Sequence, residues 1–544
     1  MTTNRFRLDS TLVHTESVAA WSTHMGVQVG DPARVRRQLG RGDLASEFAR
    51  TAARRPAAPA LRLGGRWVSR GELDHSAALA ASALQRLEVG AGSVVLLIAE
   101  ADLQTVIAYL GVLRTGGAVV LAHPSLTTAE LDHMAEEAGA RWLAGSGMGL
   151  TRAAAAQTGR LREVVGLAEE DRSVASVVLA DLVGDPVSAR ELDPTEPAVI
   201  AFTSGTSGRP KCTPLSHRNL LASMRGVMWA WRWEEADHLL HSLPISHQHG
   251  LGSIHATLLA GSKATIMPRF DAGALLDAVV KDGVTVVFGV PAVHRRLLDE
   301  AGDGVSALGR LRFYTSGSAP LPVTLAEKMG EITGQLPLER YGSTEAGLDA
   351  SNPLLGPRIP GTVGLALPGV EVIVVDGSGE PAAPGEVGEV LVRGPHVFSG
   401  YRGHGSDGVF LHDWFRTGDM GVFAERSGHL GIVGRAKELI ISGGMNVYPR
   451  EVEEALSAAP GVGEVAVVGV PSERWGEEVV AFVAPATASV DAITRLAGQV
   501  LAPYKRPKRI LALESIPRSD LGKVATPELV RMAQEDWTSP PGVI

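Results

Sequence analysis

Short runs of consecutive apolar residues alternate with amphipathic stretches between about residues 45 and 300. "SVVLLIA" (93 to 99) leads into "DLQTVIAYLGVLRTG" and then "AVVLAH" (118 to 123); "ATIMP" (264 to 268), "ALLDAVVKDG" and "TVVFGVP" (285 to 291) repeat the rhythm. Strands that are apolar at every position, separated by helical patterns, predict an α/β fold with mainly parallel sheets covered on both faces. The Ala-rich stretches near 46 to 60 and 152 to 157 predict ordinary helices.

From about residue 360 the texture changes. "GTVGLALPGVEVIVVDGSGEPAAPGEVGEVLVRGP" reads as brief strands punctuated by turn residues, a β-rich subdomain over about 360–436. Beyond it, "PREVEEALSAA" places Pro in the first turn of a helix with acids behind it, and "EVAVVGV" reads as a strand. The expected organisation is an extension over 1–44, a large domain over 45–436, and a small mobile α+β domain over 437–544. No internal repeat or low-complexity tract interrupts it.

A chain of 544 residues exceeds what one hydrophobic core supports, which agrees with that division. With 51 Lys and Arg against 60 Asp and Glu, the net charge of −9 offers no footprint for nucleic acid or an anionic membrane. No stretch of about 18 apolar residues occurs and the amino terminus lacks a signal-peptide core, so a cytoplasmic location is expected. Cys212 is the only cysteine, which excludes an intrachain disulfide and a cysteine-based zinc site. No neighbouring base marks it as a nucleophile.

"TSGTSGRPK" (203 to 211) follows the strand-like "AVIAF". Its glycines let the backbone curl into a nest of N–H donors, its hydroxyls add more, and Lys211 brings a full charge, a set suited to a polyphosphate. It is not a Walker A loop, because Pro210 and Lys211 break the G-K-[ST] pattern and Pro214 prevents a helix from opening there. The competing reading, a Ser/Gly linker, fits poorly directly behind a buried strand. No G-x-S-x-G elbow is present to suggest a hydrolase.

Together with "RYGSTEAG" (340 to 347), "FRTGDMG" (415 to 421), "GRAKELIISGGMNVYPREVE" (434 to 453) and "PRSDLGKV" (517 to 524), this loop resembles the ATP-dependent adenylate-forming superfamily of acyl-CoA synthetases, adenylation domains and luciferases. The resemblance covers roughly residues 45 to 530. It implies that a carboxylic acid and ATP form an acyl-adenylate and pyrophosphate, after which a thiol displaces AMP. ATP, Mg²⁺ and CoA are thereby implied. A carrier-protein thiol or an amine is the alternative acceptor, and some relatives in bacterial secondary metabolism form amides or activate nitrite to diazotise an aryl amine.

Residue by residue, the resemblance assigns Thr203, Ser204, Gly205, Thr206, Ser207, Gly208 and Lys211 to the β- and γ-phosphates. Thr344 would touch the α-phosphate and Glu345 would hold the metal, a hard cation that prefers oxygen. Tyr341 would stack on adenine within the segment Tyr341, Gly342 and Ser343, with the backbone of Gly317, Ser318 and Ala319 along the ring edge. Asp419 would accept from both ribose hydroxyls, with Arg435 close to the same sugar. Lys437 would be the hinge of the small domain, and Gly443 and Gly444 would line a thiol tunnel.

Within the superfamily, "HSLPISHQHGL", "GVPAVHRRLL" (289 to 298), "SGSAPL", "ERYGSTEAGLDASNPLLGPRIPGTVGLALPGV" and "NVYPREVE" look closest to the malonyl-CoA and oxalyl-CoA synthetases. His247 would gate the acyl pocket. His294 matches the oxalate-type pattern, and Arg296 falls where malonate-activating members place an Arg, a guanidinium able to grip a second carboxylate with two bonds. A helix-surface position for Arg296 is the competing reading, since "VHRRLLDEAG" is amphipathic. His247 and His249 also form an H-x-H pair, but no third metal ligand accompanies them, and His249 reads as a structural histidine. Ser343 stands where small-diacid enzymes usually carry Met, so a larger acid is expected to fit.

Lys523 carries the sharpest expectation. As the acid attacks the α-phosphorus, charge spreads over the acid and the departing pyrophosphate, and a positioned ammonium stabilises that state more than the ground state. Lys523→Ala is expected to abolish acid-dependent pyrophosphate exchange; exchange that survives while thioester formation is lost would contradict the role.

Overall fold

In the strand Val94–Ile98 every residue is buried, yet successive side chains enter different cores. Val95 and Leu97 join the main cluster with Val119, Leu121 and Val199, while Val94, Leu96 and Ile98 join a second with Val120 and Ile200. This is the period-two alternation of a strand covered on both faces. A second sheet divides in the same way. Leu239, Val286, Phe288 and Phe313 face the main cluster, and Leu240, Val287 and Tyr314 face a third. The main core is therefore the layer shared by two sheets.

The computed structural model describes residues 21, 32–63, 65–155, 161–182, 184–203, 210–403, 408–472, 474–518 and 524–536. One sheet has seven strands in the order Val177–Val178, Glu163–Gly166, Trp142–Gly145, Val94–Ile98, Ala118–Ala122, Pro197–Thr203 and Lys211–Ser216. All its pairings are parallel except the last. The other has nine strands, parallel from Pro59–Leu63 through Lys263–Ile266, His238–His241, Val286–Gly289 and Phe313–Ser316 to Leu338–Ser343, with antiparallel strands at its margins.

Helices cover these sheets and start where the sequence supplies caps. Asp102 accepts from Thr105 N at 2.7 Å to open Leu103–Thr115, and Gly116, at φ 88°, closes it. An all-antiparallel sheet follows, built from Glu371–Val375, Gly388–Arg393, Phe410–Leu411, Trp414–Phe423 and Leu430–Arg435. The last sheet comprises Ile440–Ser442, Met445–Val447, Glu464–Ser472, Gly476–Ala484 and Arg509–Ala512, packed against the helices Pro449–Ser457 and Val490–Val500. The chain is thus an α/β protein with two mainly parallel sheets, a β-rich part and a carboxy-terminal α+β part, as the patterning predicts. None of the helices among the described residues is long and apolar enough to cross a membrane.

Trp21 belongs to this frame. Its side chain is wholly buried in the main core and its indole Nε1 donates to the Ala366 carbonyl at 2.7 Å. Replacing Trp21 with Ala removes a large packed ring and orphans a buried carbonyl, which is expected to cost about 3–5 kcal/mol. The change should be read as a lowered melting temperature and denaturation midpoint.

Candidate active site

The candidate residues collect at the carboxyl ends of parallel strands, where the backbone leaves the buried sheet. Thr203 ends one strand, Ser316 precedes the turn Gly317–Ala319, and Tyr341 to Ser343 end another. Thr203 and Lys211 are direct partners in the antiparallel pair Pro197–Thr203 and Lys211–Ser216, so the glycine-rich loop leaves and returns at one point of the sheet edge. The described strand Lys211–Ser216 also explains Pro214: the helix begins only at His217, capped by Ser216. Ser204, Gly205, Thr206, Ser207, Gly208 and Lys523 lie outside the described residues.

Asp419 and Arg435 are opposite each other in the hairpin of Trp414–Phe423 and Leu430–Arg435. That register delivers the Arg435 Nε to the Asp419 Oδ1 at 2.7 Å, and the Tyr341 hydroxyl donates to Oδ2 at 2.5 Å. Burial lifts the Asp419 carboxyl above the usual range, although Arg435 and the Tyr341 hydroxyl pull it back. Burial and the adjacent Asp419 hold the Tyr341 phenol protonated, well above its ordinary pKa. A carboxylate offers about four acceptor sites, so two remain for further donors.

A second chain of contacts runs beside it. The Tyr401 hydroxyl donates to Glu345 Oε1 at 2.7 Å, and Lys211 Nζ lies 4.6 Å from the centre of the Tyr401 ring, a cation–π contact. Lys211 and Glu345, assigned to phosphate and metal, are thus joined through one aromatic residue. Sequence reasoning missed Tyr401; its signal was an aromatic flanked by glycines in "FSGYRG", beyond the quoted motifs. Thr344 sits half-buried beside Glu345, and Ser343 Oγ accepts from Ala346 N at 3.2 Å, bracing the turn. Gly342 is obligatory: a Cβ there would lie 1.9 Å from the Gly347 carbonyl oxygen.

Around the proposed acyl pocket the histidines separate by role. His247 stands at the amino end of the helix Gln248–Ala260 and stacks on His123 at 6.5 Å. The His249 Nδ1 pairs with Ser318 Oγ at 3.0 Å, and Ser318 adopts a left-handed φ of 65°. Burial, aided by the charge of Arg340, holds His249 well below the ordinary imidazole pKa. His294 is buried, pairs through Nε2 with the Thr315 carbonyl at 3.1 Å, and is pushed down to about 4 by burial. Both rings are neutral at pH 7.

Arg296 is not brought into this cluster. Its side chain is 53% exposed, paired with Glu300 at 2.7 Å and set over Phe270 at 4.6 Å. At about 100° per residue, Arg296 lies roughly 200° around the helix from His294, so a buried His294 turns Arg296 outward. An exposed guanidinium–carboxylate contact is worth at most about 1 kcal/mol, too little to select an acid. The residue missed here is Arg340, buried within the strand Leu338–Ser343 at the head of "RYGSTEAG", one position before Tyr341.

The remaining candidates lie further along the chain. Gly443 and Gly444 form the two-residue turn joining Ile440–Ser442 to Met445–Val447, with φ of 60° and 79°, as a type I′ hairpin requires. Gly443 N donates to the Trp475 carbonyl at 2.7 Å. Lys437 is exposed in the short turn Ala436–Glu438 that follows Arg435. The Cys212 thiol is buried and pushed up to about 11 by that burial, which suits a packed thiol rather than a nucleophile.

The chain matches the AMP-binding enzyme family over residues 48–402 and the AMP-binding enzyme C-terminal domain over residues 451–523. It is 39% identical over 375 residues to a mitochondrial malonate–CoA ligase of Mus musculus, a match covering 61% of this chain and 64% of that protein's length. An oxalate–CoA ligase of Arabidopsis thaliana is 33% identical, with 80% of this chain and 87% of the relative aligned. Among solved structures, ATP-bound MatB from Rhodopseudomonas palustris superposes with a TM-score of 0.82 at 33% identity, covering 91% of this chain and 99% of that one. By motif, fold and relatives alike, the chain belongs to the AMP-binding enzyme family.

Proposed function

We propose that this protein activates a small carboxylic acid with ATP and transfers the acyl group to CoA. The observation that carries the reading is the meeting of two clusters, Asp419–Tyr341–Arg435 and Glu345–Tyr401–Lys211, at the strand ends of an AMP-binding enzyme fold. The relatives named as malonate– and oxalate–CoA ligases support a small acid as substrate and CoA as acceptor.

In the first step an oxygen of the acid attacks the α-phosphorus, the bond to the bridging oxygen breaks, and pyrophosphate leaves with the electron pair. Asp419 uses its remaining acceptor sites on the ribose hydroxyls, held in place by Arg435 and Tyr341. Lys211 neutralises the departing phosphates, and Lys523 supplies the second cation to the charge that develops at phosphorus. The CoA thiol then loses its proton, its sulfur attacks the acyl carbon, and AMP departs. Gly443 and Gly444 allow the pantetheine arm to approach the backbone, after a domain rotation about Lys437.

Glu345 fits a magnesium ion. Its Oε1 accepts from Tyr401, which fixes the carboxylate, and no further partner of Oε2 is found among the described residues. None of the described residues forms a group of three or more His, Cys, Asp or Glu ligands, so Glu345 would share the ion with phosphate oxygens, the usual arrangement for a cation that keeps much of its hydration. When bound, the ion would offset phosphate charge as pyrophosphate leaves.

Two measurements test this reading. Pyrophosphate release across a panel of short acids, with and without CoA, should show at least one acid whose turnover is CoA-dependent and yields AMP and thioester in equal amounts. Release without CoA dependence would instead indicate an amine or a carrier-protein thiol as acceptor; release with no acid would remove adenylation itself. Separately, Asp419→Ala is expected to raise the KM for ATP by about 10- to 100-fold, the loss of one or two hydrogen bonds to a charged group, with the KM for the acid nearly unchanged.

A further inference from the structure

Asp349 and His396 form a buried pair that the chemistry described above does not use. His396 Nε2 lies 2.9 Å from Asp349 Oδ1, and the two side chains are 1% and 0% exposed, histidine first. A buried carboxylate is costly unless it is paired and hydrogen-bonded. Burial raises the Asp349 carboxyl above its usual range, and the bond with His396 pulls it back only in part. Asp349 Oδ2 and His396 Nδ1 are buried without a partner among the described residues. Apolar residues of the same volume would hold this part of the core at least as well, so stability does not account for the pair. What it adds is direction, because a hydrogen bond between buried groups fixes one chain against another.

Its place in the fold shows which chains it fixes. Asp349 lies in the strand Gly347–Ser351, immediately behind the turn that carries Thr344 and Glu345. His396 lies in the segment 394–402, which carries Tyr401. Phe398 N donates to the Glu345 carbonyl at 2.8 Å, the Tyr401 hydroxyl donates to Glu345 Oε1, and His396 meets Asp349. The first two contacts converge on Glu345, about which the segment could pivot. The buried pair is the second fixed point, and it sets the segment's direction. The backbone at 396 is held on both sides, since Asn219 Nδ2 donates to the carbonyls of Pro395 at 3.0 Å and Val397 at 2.7 Å. Gly394 leaves room for the ring: a Cβ there would sit 2.6 Å from His396 Nδ1. Phe398, two residues on, packs edge-to-face on the Tyr401 ring with centroids 4.9 Å apart. The Asp349 charge also reaches the nucleotide candidates, being among the causes that raise the pKa of Tyr341 and of Asp419.

We infer that Asp349 and His396 are positioning residues for adenylation: their bond sets the segment 394–402 so that the Tyr401 hydroxyl reaches Glu345 and its ring lies against Lys211. The inference rests on the proposed adenylation and deepens it, adding the groups that stand behind the metal-holding carboxylate. Neither residue is assigned a contact with ATP or the acid. Without the pair, Tyr401 swings about Glu345, and the carboxylate no longer has one orientation in which to meet a magnesium ion. Loss of a partner that orients a metal-binding group costs about 10- to 100-fold in metal affinity or activity.

The test compares the full-length wild type with Asp349→Asn, His396→Gln, the double variant Asp349→Val/His396→Leu, Tyr401→Phe, and the double variant combined with Tyr401→Phe. Each is assayed by melting temperature, by calorimetric binding of a non-hydrolysable ATP analogue with and without Mg²⁺, and by pyrophosphate release at varied Mg²⁺. The double variant removes both polar groups and leaves no unpaired charge, so it should melt close to the wild type. Its Mg²⁺ requirement should rise about 10- to 100-fold, with the KM for the acid within about twofold, and Mg²⁺ should no longer tighten analogue binding. Tyr401→Phe should show the same loss, and combining it with the double variant should add little, because both act through one contact. Asp349→Asn keeps an acceptor for His396 and should stay near the wild type. His396→Gln satisfies Asp349 from a flexible stem and should fall between.

A double variant with wild-type Mg²⁺ dependence would overturn the inference. So would losses that multiply in the combined variant, or losses that fall equally on the KM for the acid together with a lowered melting temperature, which mark a structural role. If the double variant does not fold, His396→Gln decides: a raised Mg²⁺ requirement at an unchanged melting temperature supports the inference, and no rise overturns it. If no acid releases pyrophosphate, adenylation fails, but the binding arm still decides the pair's role. Mg²⁺-dependent analogue binding lost in the double variant supports it; binding that is unaffected by the change, or by Mg²⁺ in the wild type, overturns it.

Discussion

A parallel strand buried on both faces leaves polar chemistry only its ends. In this protein two such sheets share one core, and each alternate side chain of Val94–Ile98 or Val286–Gly289 is committed to one apolar layer or another. Every group that must meet charge is displaced to the turn behind a strand, as with Thr203, Gly317, Ser318 and the segment Tyr341 to Glu345. Because the central strands run in one direction, those turns fall on one side of the sheets. The site is thus a consequence of burying the strands, and mutations in the apolar layer would reach the chemistry only by shifting these ends.

What holds the turns in relation to one another is a small number of polar contacts across elements distant in sequence. Tyr341 reaches Asp419 over 78 residues, and Tyr401 reaches Glu345 over 56. Hydrogen bonds to charged groups contribute about 1.5–3 kcal/mol, more than neutral ones, and they fix direction as well as distance. Asp419 gains further constraint from its register with Arg435, since a one-residue slip in that hairpin would send one of the pair to the other face. The antiparallel β-rich part therefore does more than cover the large sheets: it supplies the carboxylate to a tyrosine that the nine-stranded sheet presents.

Much of this was legible in the sequence. The apolar runs at 93 to 99, 118 to 123 and 285 to 291 became parallel strands because nothing polar interrupts them, and Pro214 correctly argued against a helix behind the glycine-rich loop. The pairing of Asp419 with Arg435 was not legible, since it depends on the register of a hairpin and on a bulge between Met420 and Gly421. His294 and Arg296 were read as one pocket, although helical geometry puts them on different faces. Arg340 was passed over because it sits one position before the tyrosine that the motif names. A signal was present: in a strand whose other residues lead into the core, Leu338 and Arg340 share a face, and an arginine at a buried position needs an anion.

That need bears on the departure at Ser343. Exchanging a bulky side chain for serine enlarges a pocket, but size discriminates weakly: a methylene more or less in an apolar site changes preference by about 1–3 kcal/mol. An unpaired buried charge discriminates more strongly, because the wrong ligand leaves it desolvated with no compensating contact. A serine at 343 and a buried guanidinium at 340 are therefore unequal constraints on whatever lies against them, the charge being the stronger. The neutral histidines fit the same logic. Burial keeps the imidazoles at 249 and 294 uncharged, while the Arg340 guanidinium stays cationic.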